Sequence, residues 1–515
     1  MKKILGLFVA TIALFAMWSC GDEEITGGDN PRLSLLSASI GQDEEVDPLS
    51  TTLVTLHYDA PVIVKSSASI TLNDRRVEAR PGIKSASDVE IAVALEPNTA
   101  YTLVIPAGAI LLKSDVKATA APHTLRFRTG AYSYQPGQEV EDGPGIALRM
   151  ARAMGWGWNL GNHFDTGANS DAAGNPIDFQ KPKYGYWDGA TPTRQLYQNL
   201  AAMGVGTVRI PVTWGVYQAN DADYTIDADY MAEVERNVLW ALDAGLYVVL
   251  NTHHDEYWQD IVTAVKDRER NAWIEDRLTK TWRQIANRFA NCGNHLIFET
   301  MNEIHDESWG WKGGYDYKPV YAMMNEWNKV CVDAIRTTGG KNATRWIGIP
   351  GFCASPSFTL DQVTIPNGDS HIMIAVHCYD PFDFCTEGKT QQWGHWYKGN
   401  DRDERQIQDL FEKLNRKFVA HDIPCYMGEY GVVKRKSAAD EKYREYYLEY
   451  FTRCAYLHGI PPMLWDNNAT SGEVFHFINH NDGSFYEESL VRMMINAGTS
   501  TDTDYTLKSI YDKAR

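Results

Sequence analysis

Seven apolar stretches of this chain end on, or just before, residues able to do chemistry. Stretch 156–160 carries Asn159, 207–210 carries Arg209, and 247–251 is followed by His253 and His254. Stretch 296–301 precedes Asn302 and Glu303, 372–377 ends at His377 with Tyr379 beyond, 424–427 precedes Glu429, and 462–465 ends at Trp465 before Asn467. Two carboxyl groups brought face to face can divide nucleophilic attack and proton transfer between them. Arg209 supplies a permanent cation, and Arg209 with Glu429 could equally be a structural ion pair. His254, Asp255 and His377 could form a metal set, but H-E-x-x-H is absent and metal-free chemistry uses every residue named. Gly155 to Gly161 contains Gly-x-Gly without the longer dinucleotide fingerprint. No cofactor is expected.

The elements that must position these residues repeat. Eight short apolar strands are expected, the seven above and 345–349, with amphipathic helical patterns between them at 193–203, 228–244, 276–290, 318–337, 403–420 and 440–458. Eight strand-then-helix units over residues 146–515 predict an α/β fold, a (β/α)8 TIM barrel. A doubly wound sheet would not explain why polar residues crown nearly every strand at its C-terminal end. That end is where such barrels build their sites.

The segments Gly157-Trp158-Asn159-Leu160-Gly161-Asn162, Val208-Arg209-Ile210-Pro211-Val212-Thr213-Trp214, Thr252-His253-His254-Asp255, Met301-Asn302-Glu303-Ile304, Val376-His377-Cys378-Tyr379, Gly428-Glu429-Tyr430-Gly431 and Leu464-Trp465-Asp466-Asn467 resemble glycoside hydrolase family 5. They are most similar to its subfamily 4 of endoglucanases and xyloglucanases, from about Trp156 onward. The resemblance implies hydrolysis with retention, for which two carboxyl groups stand about 5–5.5 Å apart. By motif, Glu303 is the acid/base and Glu429 the nucleophile, and an ionised Glu429 favours a protonated Glu303. Arg209 and Tyr379 would support the nucleophile, and Asn302 would hold the sugar 2-hydroxyl. His253, His254 and His377 would order the carboxylates and bind hydroxyls. Trp465 would form the sugar's floor, with Asn159 and Asn467 as further sugar contacts. His163 departs from the family pattern and bears on the preferred sugar. Trp187, Trp214, Trp258, Trp309, Trp311, Trp393 and Trp396 fall in loops where some would stack on further sugars. The implied activity is an endo-β-1,4-glucanase acting on cellulose or xyloglucan. Mannan or mixed-linkage glucan hydrolysis by the same mechanism, and a non-catalytic glycan-binding lipoprotein, are the alternatives.

Bulk properties agree. The 515 residues exceed one ordinary domain, and 44% hydrophobic with 23% charged residues is a globular composition. A formal charge of −18 opposes a nucleic-acid partner, while neutral sugars meet no such repulsion. Residues 1–20 read as a lipoprotein signal: Lys2 and Lys3, an apolar run, then Ser19-Cys20, with Cys20 as the lipidated residue. A tether at 21–30 follows, and the acidic residues after Cys20 resemble a surface-export signal of Bacteroidota, which implies an outer-membrane anchor. Residues 31–130 alternate short strands with turns such as Asn73-Asp74, and predict an all-β sandwich resembling bacterial Ig-like modules. Residues 131–145 read as a linker. Seven cysteines beyond Cys20 are dispersed without a C-x-x-C pair, which signals neither disulfides nor zinc.

Overall fold

The computed structural model describes residues 33–48, 51, 53–82, 84–93, 95–131, 137, 139–166 and 187–514. The signal peptide, Cys20 and the 21–30 tether lie outside the described residues. The chain divides into two compact units.

The N-terminal unit is all-β and antiparallel. One sheet runs Leu35–Ala38, Leu53–Tyr58, Asp88–Ala92 and Ala79–Pro81, and another contains His123–Thr129, Ala100–Ile105, Thr71–Leu72 and Arg75–Arg76. Alternation puts Val54, Leu56 and Tyr58 inward from one strand. Asn73 and Asp74 take φ of 47° and 63°, the doubly left-handed conformation of a two-residue hairpin turn that Asn and Asp tolerate.

The C-terminal unit is a closed parallel barrel of eight strands. These are β1 (Gly157–Asn159), β2 (Thr207–Ile210), β3 (Tyr247–Asn251), β4 (Leu296–Glu299), β5 (Ile347–Pro350), β6 (Ile372–Cys378), β7 (Cys425–Tyr430) and β8 (Pro462–Leu464). Its larger helices are α1 (Arg194–Ala202), α2 (Ala228–Asp243), α3 (Arg268–Arg288), α4 (Lys318–Arg336), α5 (Pro356–Gln362), α6 (Arg402–Lys417), α7 (Ala438–Leu457) and α8 (Glu488–Thr499). All eight expected strands form. Helix α3 starts earlier than its apolar periodicity suggests, because the Asp267 carboxylate caps the amides of Glu269 and Arg270. The seven described cysteines beyond Cys20 are buried free thiols. No described helix is long and apolar enough to cross a membrane.

Period two along each strand sorts the barrel. Val208, Ile210, Val248, Leu250, Phe298, Ile347 and Ile374 belong to one core cluster, under the helices. Tyr247, Val249, Ile297, Met373, Ala375, Tyr426 and Met463 form a second cluster inside the barrel, with Ile146, Met150 and Met154 of the preceding helix Ile146–Met154. One step further along the inward rows come Asn251, Glu299 and His377, in register with their neighbours: Asn251 pairs with Glu299, and Asn159 with Arg209. Strict alternation from Tyr426 would point Glu429 outward. A one-residue register slip between β6 and β7 instead pairs His377 with Glu429 and turns that side chain into the mouth. Gly428 sits at the slip, where an added Cβ would lie 3.0 Å from His377 Nε2.

Candidate active site

Arg209 organises the mouth from below. Its guanidinium is fully buried and every N–H is engaged. Nε donates to both Glu299 oxygens at 3.2 Å, and Nη2 to Glu299 Oε1 at 2.6 Å and Asn302 Oδ1 at 2.8 Å. Nη1 donates to Glu429 Oε1 at 2.7 Å and Asn159 Oδ1 at 3.0 Å. Burial opposes the charge, but Glu299 and Glu429 outweigh it and hold Arg209 above its already high ordinary value. Glu299 is held below the usual carboxylate range, because Arg209 outweighs the burial penalty. It also accepts from Asn251 Nδ2 at 3.0 Å and Tyr426 OH at 2.7 Å. Gly348 makes room for that phenol, since a Cβ there would lie 2.1 Å from Tyr426 OH.

Above this layer the two glutamates meet. One oxygen from each of Glu303 and Glu429, with a His377 nitrogen, lie within 4.8 Å of one another. Glu429 is 5% exposed and accepts from Arg209 and, at Oε2, from Tyr379 OH at 2.9 Å. The Glu303 side chain is 20% exposed, and His377 Nδ1 approaches its Oε1 at 2.7 Å. His377 Nδ1 also lies 3.7 Å from Glu429 Oε1. Burial opposes protonation of that imidazole, but the two carboxylates raise it above its ordinary value.

Other expected residues land in different places. His253 does not order the carboxylates. Its ring lies parallel to Trp465 at 5.9 Å, and its Nδ1 accepts from Asn251 Nδ2 at 3.1 Å. His254 stands edge-on to Trp187 at 6.0 Å, at the rim. Asn159 is corrected from sugar contact to scaffold. It is fully buried, and its amide donates to the Gly428, Met463 and Leu464 carbonyls while its oxygen receives Arg209. Asn467 is corrected likewise: its oxygen accepts from the amides of Ala469 and Phe475, and its amide donates to the Glu473 carbonyl, which ties its own loop. Trp214, Trp258 and Trp393 are buried, whereas Trp187, Trp309 and Trp311 are exposed.

Sequence reasoning missed Glu299, Tyr426 and Asn251. The available signal was an acid at the end of Leu-Ile-Phe-Glu, where a buried carboxylate demands a cation. It also missed a buried chain in which His163 and His480 reach Asp188 Oδ2 at 3.1 and 3.0 Å. His480 Nε2 lies 3.4 Å from Asp466 Oδ1, while Asp466 Oδ2 accepts from Trp158 Nε1 at 3.1 Å. Burial works against its charge, yet both carboxylates push His480 up to about 9.

Among the described residues, two groups have ligand-type atoms close enough to hold an ion: Glu303, His377 and Glu429, and Asp165 with His253 and His254. The second is poorly suited. Asn251 Oδ1 accepts from the Val212 amide, which fixes its Nδ2 as donor to His253 Nδ1 and leaves the His253 proton on Nε2. That N–H, not a lone pair, faces Asp165 Oδ2 at 3.8 Å. Burial and neighbouring positive charge hold His253 well below its ordinary value, and burial pushes Asp165 up to about 6. Asp255 is no ligand either: it accepts from the Trp214 and Gly215 amides and from Trp258 Nε1.

A (β/α)8 barrel whose mouth sets two carboxyl groups at this range, one braced by a buried arginine, defines the class of glycoside hydrolases. Within it the chain belongs to glycosyl hydrolase family 5, as residues 170–471 match the model of Cellulase (glycosyl hydrolase family 5). It is 32% identical to endoglucanase B of Clostridium cellulovorans over 70% of this chain and 78% of that one. A solved Bacteroidetes-affiliated cellulase of the family, linked with a polysaccharide utilization locus, aligns with a TM-score of 0.66 at 36% identity, covering 72% of this chain and 98% of that one. A broad specificity endoglucanase of subfamily 4 from Bacteroides salanitronis gives 0.64 at 36% identity, covering 72% and 99%.

Proposed function

We propose that this chain is a retaining endo-β-1,4-glucanase that cleaves plant β-glucans, cellulose or xyloglucan, by double displacement. The observation that carries the reading is that Glu303 and Glu429 converge on one mouth with an oxygen of each within 4.8 Å, the close range at which one carboxylate can attack the sugar whose leaving oxygen the other protonates. Glu429 attacks the anomeric carbon as the glycosidic bond breaks, and Glu303 gives its proton to the leaving oxygen. Glu303 then takes a proton from water, which displaces Glu429 from the sugar. Tyr379 and Arg209 aim the nucleophile through the two donors described above. Because Asn302 spends its oxygen on Arg209, its Nδ2 is the group left to donate, which suits a sugar 2-hydroxyl. Trp465, backed by His253, forms the floor beneath the ring.

The test is substitution with product analysis. Glu303→Gln and Glu429→Gln should each remove nearly all glucan hydrolysis while the fold is kept, and azide should restore Glu429→Gly with an α-glycosyl azide as product. Full turnover in either Gln variant sinks the assignment. A panel of purified polysaccharides separates cellulose and xyloglucan from mannan. The panel also tests mixed-linkage glucan as an alternative substrate, in keeping with the broad specificity of the Bacteroides salanitronis relative. We further propose that Cys20 anchors the enzyme in the outer membrane, with residues 31–130 as an Ig-like spacer.

A further inference from the structure

We propose that His480 is a positioning residue for the sugar floor: held as a cation between Asp188 and Asp466, it fixes where Trp465 lies beneath the reacting ring. This deepens the glucanase reading above and rests on it.

Each acid is the chain neighbour of a tryptophan, Asp188 of Trp187 and Asp466 of Trp465. His480 Nδ1 donates to Asp188 Oδ2 at 3.0 Å, and its Nε2 faces Asp466 Oδ1 at 3.4 Å. The two tryptophans are also joined through rings. Trp465 lies parallel to His253, His253 meets His254 edge-on at 4.4 Å, and His254 meets Trp187. The contacts therefore close a circuit, in which one buried imidazole ties together the two Trp-Asp pairs. The floor has little freedom of its own within it. An added Cβ at Gly161 would lie 2.9 Å from Trp465 Cζ2, so the indole rests on the turn that leads to His163. His163 Nδ1 in turn approaches Asp188 Oδ2 at 3.1 Å.

The geometry demands a charged ring. A neutral imidazole has one N–H and one lone pair, and here the lone pair would face a carboxylate oxygen. Asp466 is committed as an acceptor: Oδ2 takes Trp158 Nε1 and the Phe477 and Ile478 amides, and Oδ1 takes the Asn468 amide. Asp188 Oδ1 accepts from the Ala190 amide at 3.0 Å. Burial opposes charge on Asp188, but His163 and His480 hold it below the usual carboxylate range. The other titratable neighbours of His480 are His163, across Asp188, and His476, on its own segment. Burial works against the His480 charge and the two carboxylates raise it to about 9, so the tie is whole at neutral pH and is lost as pH rises through that value.

The test is the pH profile of kcat/KM from pH 6 to 10 on 2,4-dinitrophenyl β-cellobioside, whose leaving group departs without a proton from Glu303. Wild type should step down near pH 9 with its circular dichroism unchanged. The step should be about tenfold, within the roughly hundredfold that misplacing a substrate-positioning group by about 1 Å costs. His480→Gln should sit near the lower level at every pH and show no step. Asp188→Asn removes one of the two carboxylates and should move the step down by about one pH unit or more. A wild-type profile flat to pH 10 overturns the proposal. So does a step that persists unshifted in His480→Gln, which would belong to His254 or His377. Should His480→Gln fail to fold, Asp188→Asn decides, a shifted step supporting the role and an unshifted one overturning it. A wild type that releases no dinitrophenol and cleaves no glucan at any pH refutes the glucanase reading itself, and the positioning role with it.

Discussion

Replacing Glu299 by Gln tests the buried counter-ion beneath the catalytic pair. The carboxylate receives Arg209 Nε and Nη2, Asn251 Nδ2 and Tyr426 OH, so it is saturated by donors and has no role in attack. Gln keeps the volume but removes the charge, and it aims an NH2 at groups that already donate. Breaking one partner out of a buried ion pair costs about 3–5 kcal/mol, a large share of the roughly 5–15 kcal/mol that holds a domain together. The pH dependence follows from the depressed carboxyl. Burial alone would raise it, but Arg209 lowers it below the ordinary 4.5. Its contribution is therefore complete above the unfolded-state value and is lost as pH falls through the folded one. The stability gap between wild type and Glu299→Gln should be widest at neutral pH and narrow below about pH 4. Urea unfolding followed by tryptophan fluorescence at pH 7 and pH 3 reads this directly. Equal midpoints at pH 7, or a gap that widens on acidification, would refute the reasoning.

Tyr379→Phe removes the 2.9 Å donor to Glu429 Oε2 and little else. One hydrogen bond to a charged group is worth about 1.5–3 kcal/mol, so kcat on glucan should fall roughly tenfold to a hundredfold, and unchanged kcat would show the phenol idle. Cys20→Ala should move the enzyme from the membrane fraction to the soluble one, and its retention in membranes would argue against the lipid anchor.

The barrel was legible because each strand is a short apolar run followed by helical periodicity, and because strand ends carry the polar residues. What one sequence does not encode locally is depth. Asn159 and Asn302 both follow apolar runs, yet Asn159 falls within β1 and is sealed under the mouth, whereas Asn302 lies three residues beyond β4. Trp214, Trp258 and Trp393 occupy connecting segments like those of Trp187 and Trp309, but their burial depends on helices packed over them from elsewhere. Asp188 and His480, 292 residues apart, share a contact that no local spacing announces. Glu429 is the sharpest case, since alternation along β7 points it away from the site and only the slip against β6 turns it inward.

That slip also explains why two identical side chains take different parts. Glu429 belongs to β7 itself, so it enters the mouth low, where Arg209 and Tyr379 reach both of its oxygens. Glu303 comes four residues after the end of β4 and sits at the rim, with His377 against its Oε1 and part of its surface in solvent. From core to solvent, acidic and basic side chains alternate through Glu299, Arg209, Glu429, His377 and Glu303. The inner carboxylate is pinned between fixed donors and suited to attack along one line. The outer one can exchange its proton with a leaving oxygen and then with water. A barrel that placed both glutamates within its strands would pin both and leave no group free to carry the proton.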